Sequence, residues 1–312
     1  MPTQYDIPAA AAALLEGQLV AFPTETVYGL GADAANDTAV AKVYAAKGRP
    51  AFNPLIVHVA DAEAAFALGD FSAEARTLAL AFWPGPLSLV VPRQASCPVS
   101  LLASAGLPSI AIRVPAHPVA LDLLRAVKRP VVAPSANPSG KISPTTAEHV
   151  RKHLRDKVAA ILDGGRCKVG VESSVVSFLD DGPKLLRHGG RTKAEIEAVL
   201  GHPLAVETHS ERPHAPGQLL SHYAPHAELR LNAPVARDGE AYLGFGPLHA
   251  HGPYTLSANG DLVEAAASLF RLLHEIDATG VSGIAVAPIP HHGLGEAIND
   301  RLQRAAAPRN LT

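Results

Sequence analysis

The chain has 312 residues, 47% of them hydrophobic, with 27 Lys and Arg against 29 Asp and Glu; that length favours two domains with a core each, and the near balance of charge excludes a global field drawing the protein to nucleic acid or membrane. Its two cysteines, Cys97 and Cys167, stand alone without a Cys-x-x-Cys pair, which fits a reducing cytosol better than a disulfide scaffold or a cysteine zinc site. Met1 to Asp6 supplies neither a basic start nor an apolar run, and no apolar stretch elsewhere is long enough to span a bilayer, so a soluble, cytoplasmic protein is expected.

Gln18 to Phe22 is predicted as a strand entering a loop at Pro23. Thr24, Glu25 and Thr26 follow, but Gly29 and Gly31 come too soon for a helix, so this segment reads as a binding loop. Asn36 to Lys47 is predicted as a helix capped by Asn36 or Asp37, burying Val40, Val43 and Tyr44 and ending at Gly48. Lys47 and Arg49 flank that glycine; the pair either complements the helix dipole or grips a polyanion. Leu55 to Val59 alternates as a strand in which His58 interrupts an apolar pattern. A helix from Ser72 to Phe82 stops at Trp83-Pro84-Gly85-Pro86, and Leu87 to Val91 returns as a strand. Ser109 to Val114 puts Ile110, Ile112 and Val114 on one face and Arg113 on the other. A lone His or Arg in such a strand is costly unless paired or used by a ligand.

Val131 to Ala133 is predicted as a strand feeding Pro134-Ser135-Ala136-Asn137-Pro138-Ser139-Gly140, a proline-stiffened loop with donors suited to phosphate, or else a plain Asx or Ser turn. Thr145-x-x-Glu148 has the form of a capping box opening a helix to about Lys157. Val171 to Phe178 is predicted as a strand carrying Glu172, Ser173 and Ser174, and Lys193 to Leu200 as a helix. From Val206 to Ala227 periodicity gives way to proline, histidine and glycine, so domains at 1–205 and 228–312 are expected, joined by a 206–227 linker or lid in which Tyr223 folds over a ligand. Beyond it, strands at Ala241 to Phe245 and Gly283 to Ile289 and helices at Asp261 to Ala278 and Gly293 to Ala306 predict a small parallel α/β unit. No P-loop or Rossmann glycine fingerprint is present, and His249-x-His251 and His291-His292 lack a partner for a metal site.

The order P-T-E-T-V-Y-G-L-G, Lys-x-Arg, N-P-L-I-V-H, F-W-P-G-P, S-x-N-x-S-G and P-G-x-x-x-x-H-Y-A-P resembles the threonylcarbamoyl-AMP synthase family in its long form, matching from about Gly17 to Arg191 and again at Pro216 to Pro225. The resemblance implies a YrdC-like α/β domain with a twisted mixed sheet, plus a small Rossmann-like α/β domain. It further implies a nucleotidyltransferase that condenses L-threonine, bicarbonate and ATP, with Mg²⁺ carried by the phosphates, to threonylcarbamoyl-AMP and pyrophosphate. The product would pass to the machinery that modifies the adenosine beside the tRNA anticodon, with little direct nucleic-acid binding by this chain. By the same resemblance Thr26, His58, Arg113, Ala133 and Ser173 contact threonine; Arg49, Asn53, Ser109, Ser135, Ser143, Arg187 and Tyr223 contact ATP; and Lys47, Arg49, Ser135 and Asn137 form the catalytic tetrad. An RNA-binding module is the rival class, disfavoured by near neutrality and few aromatics.

Overall fold

A computed structural model of the protein describes residues 6–180, 182–207 and 222–308. The first unit opens with α1 (Ile7–Leu15), β1 (Val20–Phe22), β2 (Gly29–Asp33), α2 (Asp37–Lys47), β3 (Ile56–His58), α3 (Ala62–Phe66), α4 (Ala73–Phe82) and β4 (Leu87–Pro92). It continues with β5 (Ser109–Arg113), α5 (Pro118–Val127), β6 (Val131–Val132), α6 (Ala147–Leu154), β7 (Ala160–Ile161), β8 (Ser174–Asp180), β9 (Gly182–Arg187), α7 (Lys193–Leu200) and β10 (Ala205–Val206). Among the described residues its strands form one mixed sheet in the order β10-β9-β8-β4-β5-β3-β6-β2-β1-β7. The main core lies on one face, where Leu55, Val57, Leu87, Leu89, Ile110 and Ile112 meet Val40, Val43, Leu78 and Ile196 from α2, α4 and α7.

The second unit holds β11 (Glu228–Arg230), β12 (Glu240–Leu243), α8 (Leu262–Asp277), β13 (Gly283–Val286) and α9 (Leu294–Ala306), with three parallel strands in the order β11-β13-β12. It is parallel as expected, but among the described residues it has three strands and no helix between β11 and β12, so the doubly wound dinucleotide pattern is not seen. Its apolar cluster, built on Leu269, Phe270, Leu273, Ile284 and Ile298, also takes in Val27, Ile142 and Val171 of the first unit. At Gly170 (φ +76°) an added Cβ would lie 2.4 Å from the Ala266 carbonyl oxygen, so the two units meet there backbone to backbone. No helix of the described residues is long and apolar enough to cross a membrane.

Local chemistry explains most boundaries. Asn36 caps α2 through the Ala39 N–H, and Gly48 closes it in the left-handed region, as the sequence implies. Thr192 and Glu195 form a full capping box on α7. At α6 the cap is Thr146, bonded to the His149 N–H, and not Thr145, whose buried hydroxyl has no partner. Glu172 and Ser173 precede β8 rather than lying within it, and Val206, where the connecting stretch was expected to begin, still pairs with Leu185. Most of that stretch, residues 208–221, lies outside the described residues.

The largest departure is β2, expected as loop. Gly29 and Gly31 pair with Phe22 and Val20 of β1, and a Cβ on Gly31 would sit 2.8 Å from the Phe22 ring. Glycine here admits an aromatic ring across the ladder, the opposite of its usual strand-breaking role. Gly31→Ala should therefore destabilise the fold by about 1–3 kcal/mol, and in a Phe22→Leu background should cost clearly less; thermal unfolding of the four proteins measures the coupling.

Candidate functional site

Parallel pairing of β3 with β5 sets His58 directly against Arg113. Because alternate residues share a face, both stand opposite the main core, beside the small cluster of Ile56, Val90 and Ala111. Both are nearly fully buried, and something must satisfy them. Arg113 is held by Glu25, which accepts from Nη2 at 2.6 Å, and by the Gly85 carbonyl, which accepts from Nε at 3.2 Å. The other Glu25 oxygen accepts from the Ala116 N–H at 3.0 Å. The guanidinium is thus locked through two nitrogens, with Nη1 left for a ligand. Arg113, expected to bind an anion, already has one carboxylate partner, Glu25, from the P-T-E-T segment.

His58 places Nδ1 3.2 Å from the Ile56 carbonyl, which can only accept, so Nδ1 carries the proton and Nε2 is an acceptor. Burial, reinforced by the Arg113 charge, lowers its pKa to about 3. The imidazole is therefore neutral at physiological pH and too weak a base to take a proton; it can receive a hydrogen bond from a substrate. Thr26 offers a second acceptor. The Thr24 hydroxyl donates to the Val27 carbonyl at 2.6 Å, so in the 2.7 Å contact between the two hydroxyls Thr26 is the donor, and its lone pairs stay available.

A cleft opens over these groups. Thr26, His58, Arg113, Ala133 and Ser173, the five residues expected around threonine, all line it. So do Arg49, Ser135, Arg187 and Tyr223 from the set expected around ATP. Arg49 donates from Nε to the Asn53 carbonyl (3.1 Å) and from Nη2 to the Pro54 carbonyl (2.9 Å), and burial lowers its pKa to about 10. Arg187 is fixed by Ser173, donating to its carbonyl and hydroxyl at 3.0 Å each. Tyr223 is buried with φ +65°, its ring stacked on Phe270 at 5.5 Å.

The remaining expected residues are not among those lining the cleft. Lys47 donates to the main-chain carbonyls of Ser135 and Asn137 at 2.5 and 2.6 Å, clamping the S-x-N loop from below. Burial, with Arg49 nearby, holds its pKa well below the usual lysine value. Asn137 ties its amide to the Pro138 and Lys141 carbonyls at 3.1 and 2.8 Å while its Oδ1 is buried without a partner among the described residues. Asn53 Oδ1 is likewise buried and unpartnered, and Ser109 is buried at the start of β5, opposite Pro92. The Ser143 hydroxyl donates to Glu172 at 2.6 Å. Glu172 and His222 line the cleft too, and neither was singled out from the sequence. Glu172 sits in a V-E-S-S run whose serines drew notice; its own signal was a carboxylate next to an expected ligand.

Four imidazoles near the site or the contact between units are strongly depressed by burial: His58, His222 and His274 to about 3, His149 to about 4. In the unfolded chain each protonates near 6.5, so the stabilisation from keeping them neutral is complete above about pH 6.5 and is lost as pH falls toward 4 and then 3. The thermal midpoint should drop steadily below pH 6.5. His58→Asn, which can still donate to the Ile56 carbonyl, should make that fall shallower; an unchanged slope would remove His58 from the titrating set.

A family model described as "Telomere recombination", built on Sua5, YciO and YrdC, matches residues 12–189, and a second, described as "Threonylcarbamoyl-AMP synthase, C-terminal domain", matches residues 191–307. The threonylcarbamoyl-AMP synthase of Pyrococcus abyssi is 41% identical over 329 aligned residues, spanning 98% of this chain and 95% of its own. That of Bacillus subtilis is 44% identical over 322, spanning 96% and 92%. The crystal structure of P. abyssi Sua5 complexed with L-threonine superposes with a TM-score of 0.87 at 40% identity, covering 96% of this chain and 94% of that one. With likeness of this extent running through both units, the chain belongs to the threonylcarbamoyl-AMP synthase family, in the form that joins a YrdC-like unit to a second α/β unit.

Proposed function

We propose that the chain is an L-threonylcarbamoyladenylate synthase that joins L-threonine, bicarbonate and ATP into threonylcarbamoyl-AMP and pyrophosphate. The observation that carries this reading is the Arg113 guanidinium, locked on two sides by Glu25 and Gly85, standing beside a neutral His58 in the cleft that Arg49 and Arg187 also line. A rigid fork with one free edge suits an amino-acid carboxylate, and the other two arginines suit a polyphosphate. The acceptors on His58 and Thr26 would take hydrogen bonds from threonine's ammonium and hydroxyl.

In the reaction, threonine's ammonium first gives up a proton to solvent and the resulting amine attacks the bicarbonate carbon, from which water leaves; a carbamate oxygen then attacks the ATP α-phosphorus and pyrophosphate leaves. No side chain needs to form a covalent bond. The work falls to positioning and charge: Arg113 fixes the nucleophile, while Arg49, Arg187, Ser135 and the loop clamped by Lys47 receive the phosphates. Asn53, Asn137, Ser109, Ser143 and Tyr223 are proposed to complete the ATP site, with Ala133 and Ser173 walling the threonine. Mg²⁺ would enter on the triphosphate, whose oxygens it prefers. Residues 1–205 are taken as the catalytic domain and 228–312 as the second, joined by 206–227, and the protein as a cytoplasmic supplier of the tRNA-modifying transfer step.

The test is incubation of the protein with ATP, bicarbonate and labelled threonine. Threonine-dependent pyrophosphate and a labelled adenylate in equal amounts are expected. Pyrophosphate release indifferent to threonine, or retention of RNA without turnover, would favour a different member of the fold.

A further inference from the structure

A side chain of the second unit, Arg301, pairs with a residue that lines the cleft. Arg301, on α9, is fully buried and donates from Nε to Glu172 at 2.9 Å and from Nη1 to Asp300 at 2.6 Å. Its Cζ lies 5.3 Å from the centre of the Tyr223 ring, and its Nη2 is buried with no partner among the described residues. Glu172 in turn accepts from the Ser143 hydroxyl with its other oxygen and lines the cleft.

Stability is a poor reason for this arrangement. A buried ion pair between two packed units contributes little that apolar side chains of similar volume would not, and an unsatisfied guanidinium nitrogen adds a cost. What the pair does achieve is electrostatic. Glu172 is a carboxylate inside a cleft otherwise lined by Arg49, Arg113 and Arg187, and its charge acts on both Lys47 and Arg187. Unneutralised, it would repel a triphosphate and draw those cations to itself.

We propose that Arg301 is a positioning residue supplied by the C-terminal unit, which holds and neutralises Glu172 so that the first unit's cations stay available to ATP. The proposal rests on the function given above and assigns the C-terminal unit a role in it.

The full-length chain is compared with Arg301→Met, Glu172→Gln and the double variant, measuring by calorimetry the affinity for a non-hydrolysable ATP analogue and, separately, for threonine. Arg301→Met is expected to weaken the nucleotide by about tenfold or more and threonine by less than about twofold, and adding Glu172→Gln is expected to recover most of the lost nucleotide affinity. A mere clamp between units predicts no such rescue. Nucleotide affinity unchanged in Arg301→Met, or not regained in the double variant, overturns the proposal. If Arg301→Met does not fold, Arg301→Lys decides: affinity within about threefold of wild type supports a charge role, and a tenfold loss overturns it. Wild-type protein that binds neither ligand overturns the functional reading itself.

Discussion

Lys47→Ala should reduce threonine-dependent pyrophosphate release by at least about 100-fold, the scale seen when one preorganised donor is removed from a charged transition state. The buried ammonium is committed to the Ser135 and Asn137 carbonyls, so its loss acts twice: the positive charge under the phosphate loop disappears, and two buried acceptors are left without their donor. The loop should nevertheless persist. The Ala136 N–H still donates to the Tyr28 carbonyl, the Leu30 N–H to the Pro134 carbonyl, and the Asn137 amide to Lys141. Steady-state kinetics should therefore show the loss in kcat, with threonine affinity and circular dichroism close to wild type. Wild-type turnover by a folded variant would strip Lys47 of its role.

Arg113→Lys should weaken threonine about 10–100-fold, the worth of one or two charge-assisted hydrogen bonds, while nucleotide affinity changes little. Arginine serves Glu25 and Gly85 from two nitrogens and leaves a third in the same plane for a ligand; an ammonium on a flexible stem cannot reproduce that geometry. Arg113→Ala is the wrong experiment, because stranding Glu25 without its cation would cost about 3–5 kcal/mol and confound binding with unfolding. Calorimetry showing ATP weakened and threonine untouched would reverse the assignment of this side of the cleft.

The site was legible in the chain wherever a polar residue broke a strict alternation. His58 and Arg113 each interrupt an apolar strand, and that anomaly is local enough to see. Their adjacency is not, because it depends on β3 pairing in parallel with a strand more than fifty residues away. Nor is the Glu25 partner, since nothing in P-T-E-T says that its carboxylate turns toward residue 113. Glu172 with Arg301 is the extreme case: 129 residues separate them, and nothing in either segment points to the other. The glycines of β2 misled for the opposite reason. Their strand depends on the Phe22 ring across the ladder, a tertiary fact that overrides glycine's own preference for turns.

Val27, Ile142 and Val171 belong to the first unit by sequence but to the second unit's apolar cluster by packing. During synthesis the N-terminal unit leaves the ribosome first and can fold before residues 262–306 have been made. For that interval these three side chains present a greasy face that lacks the apolar partners α8 and α9 supply. The order of translation thus gives the nascent chain a window in which self-association competes with completion, and one that closes only when α8 and α9 arrive. Slower elongation through the second half should lengthen that window and lower the soluble yield, whereas polar replacements at the three positions should protect a fragment ending near Thr208 and penalise the full-length chain.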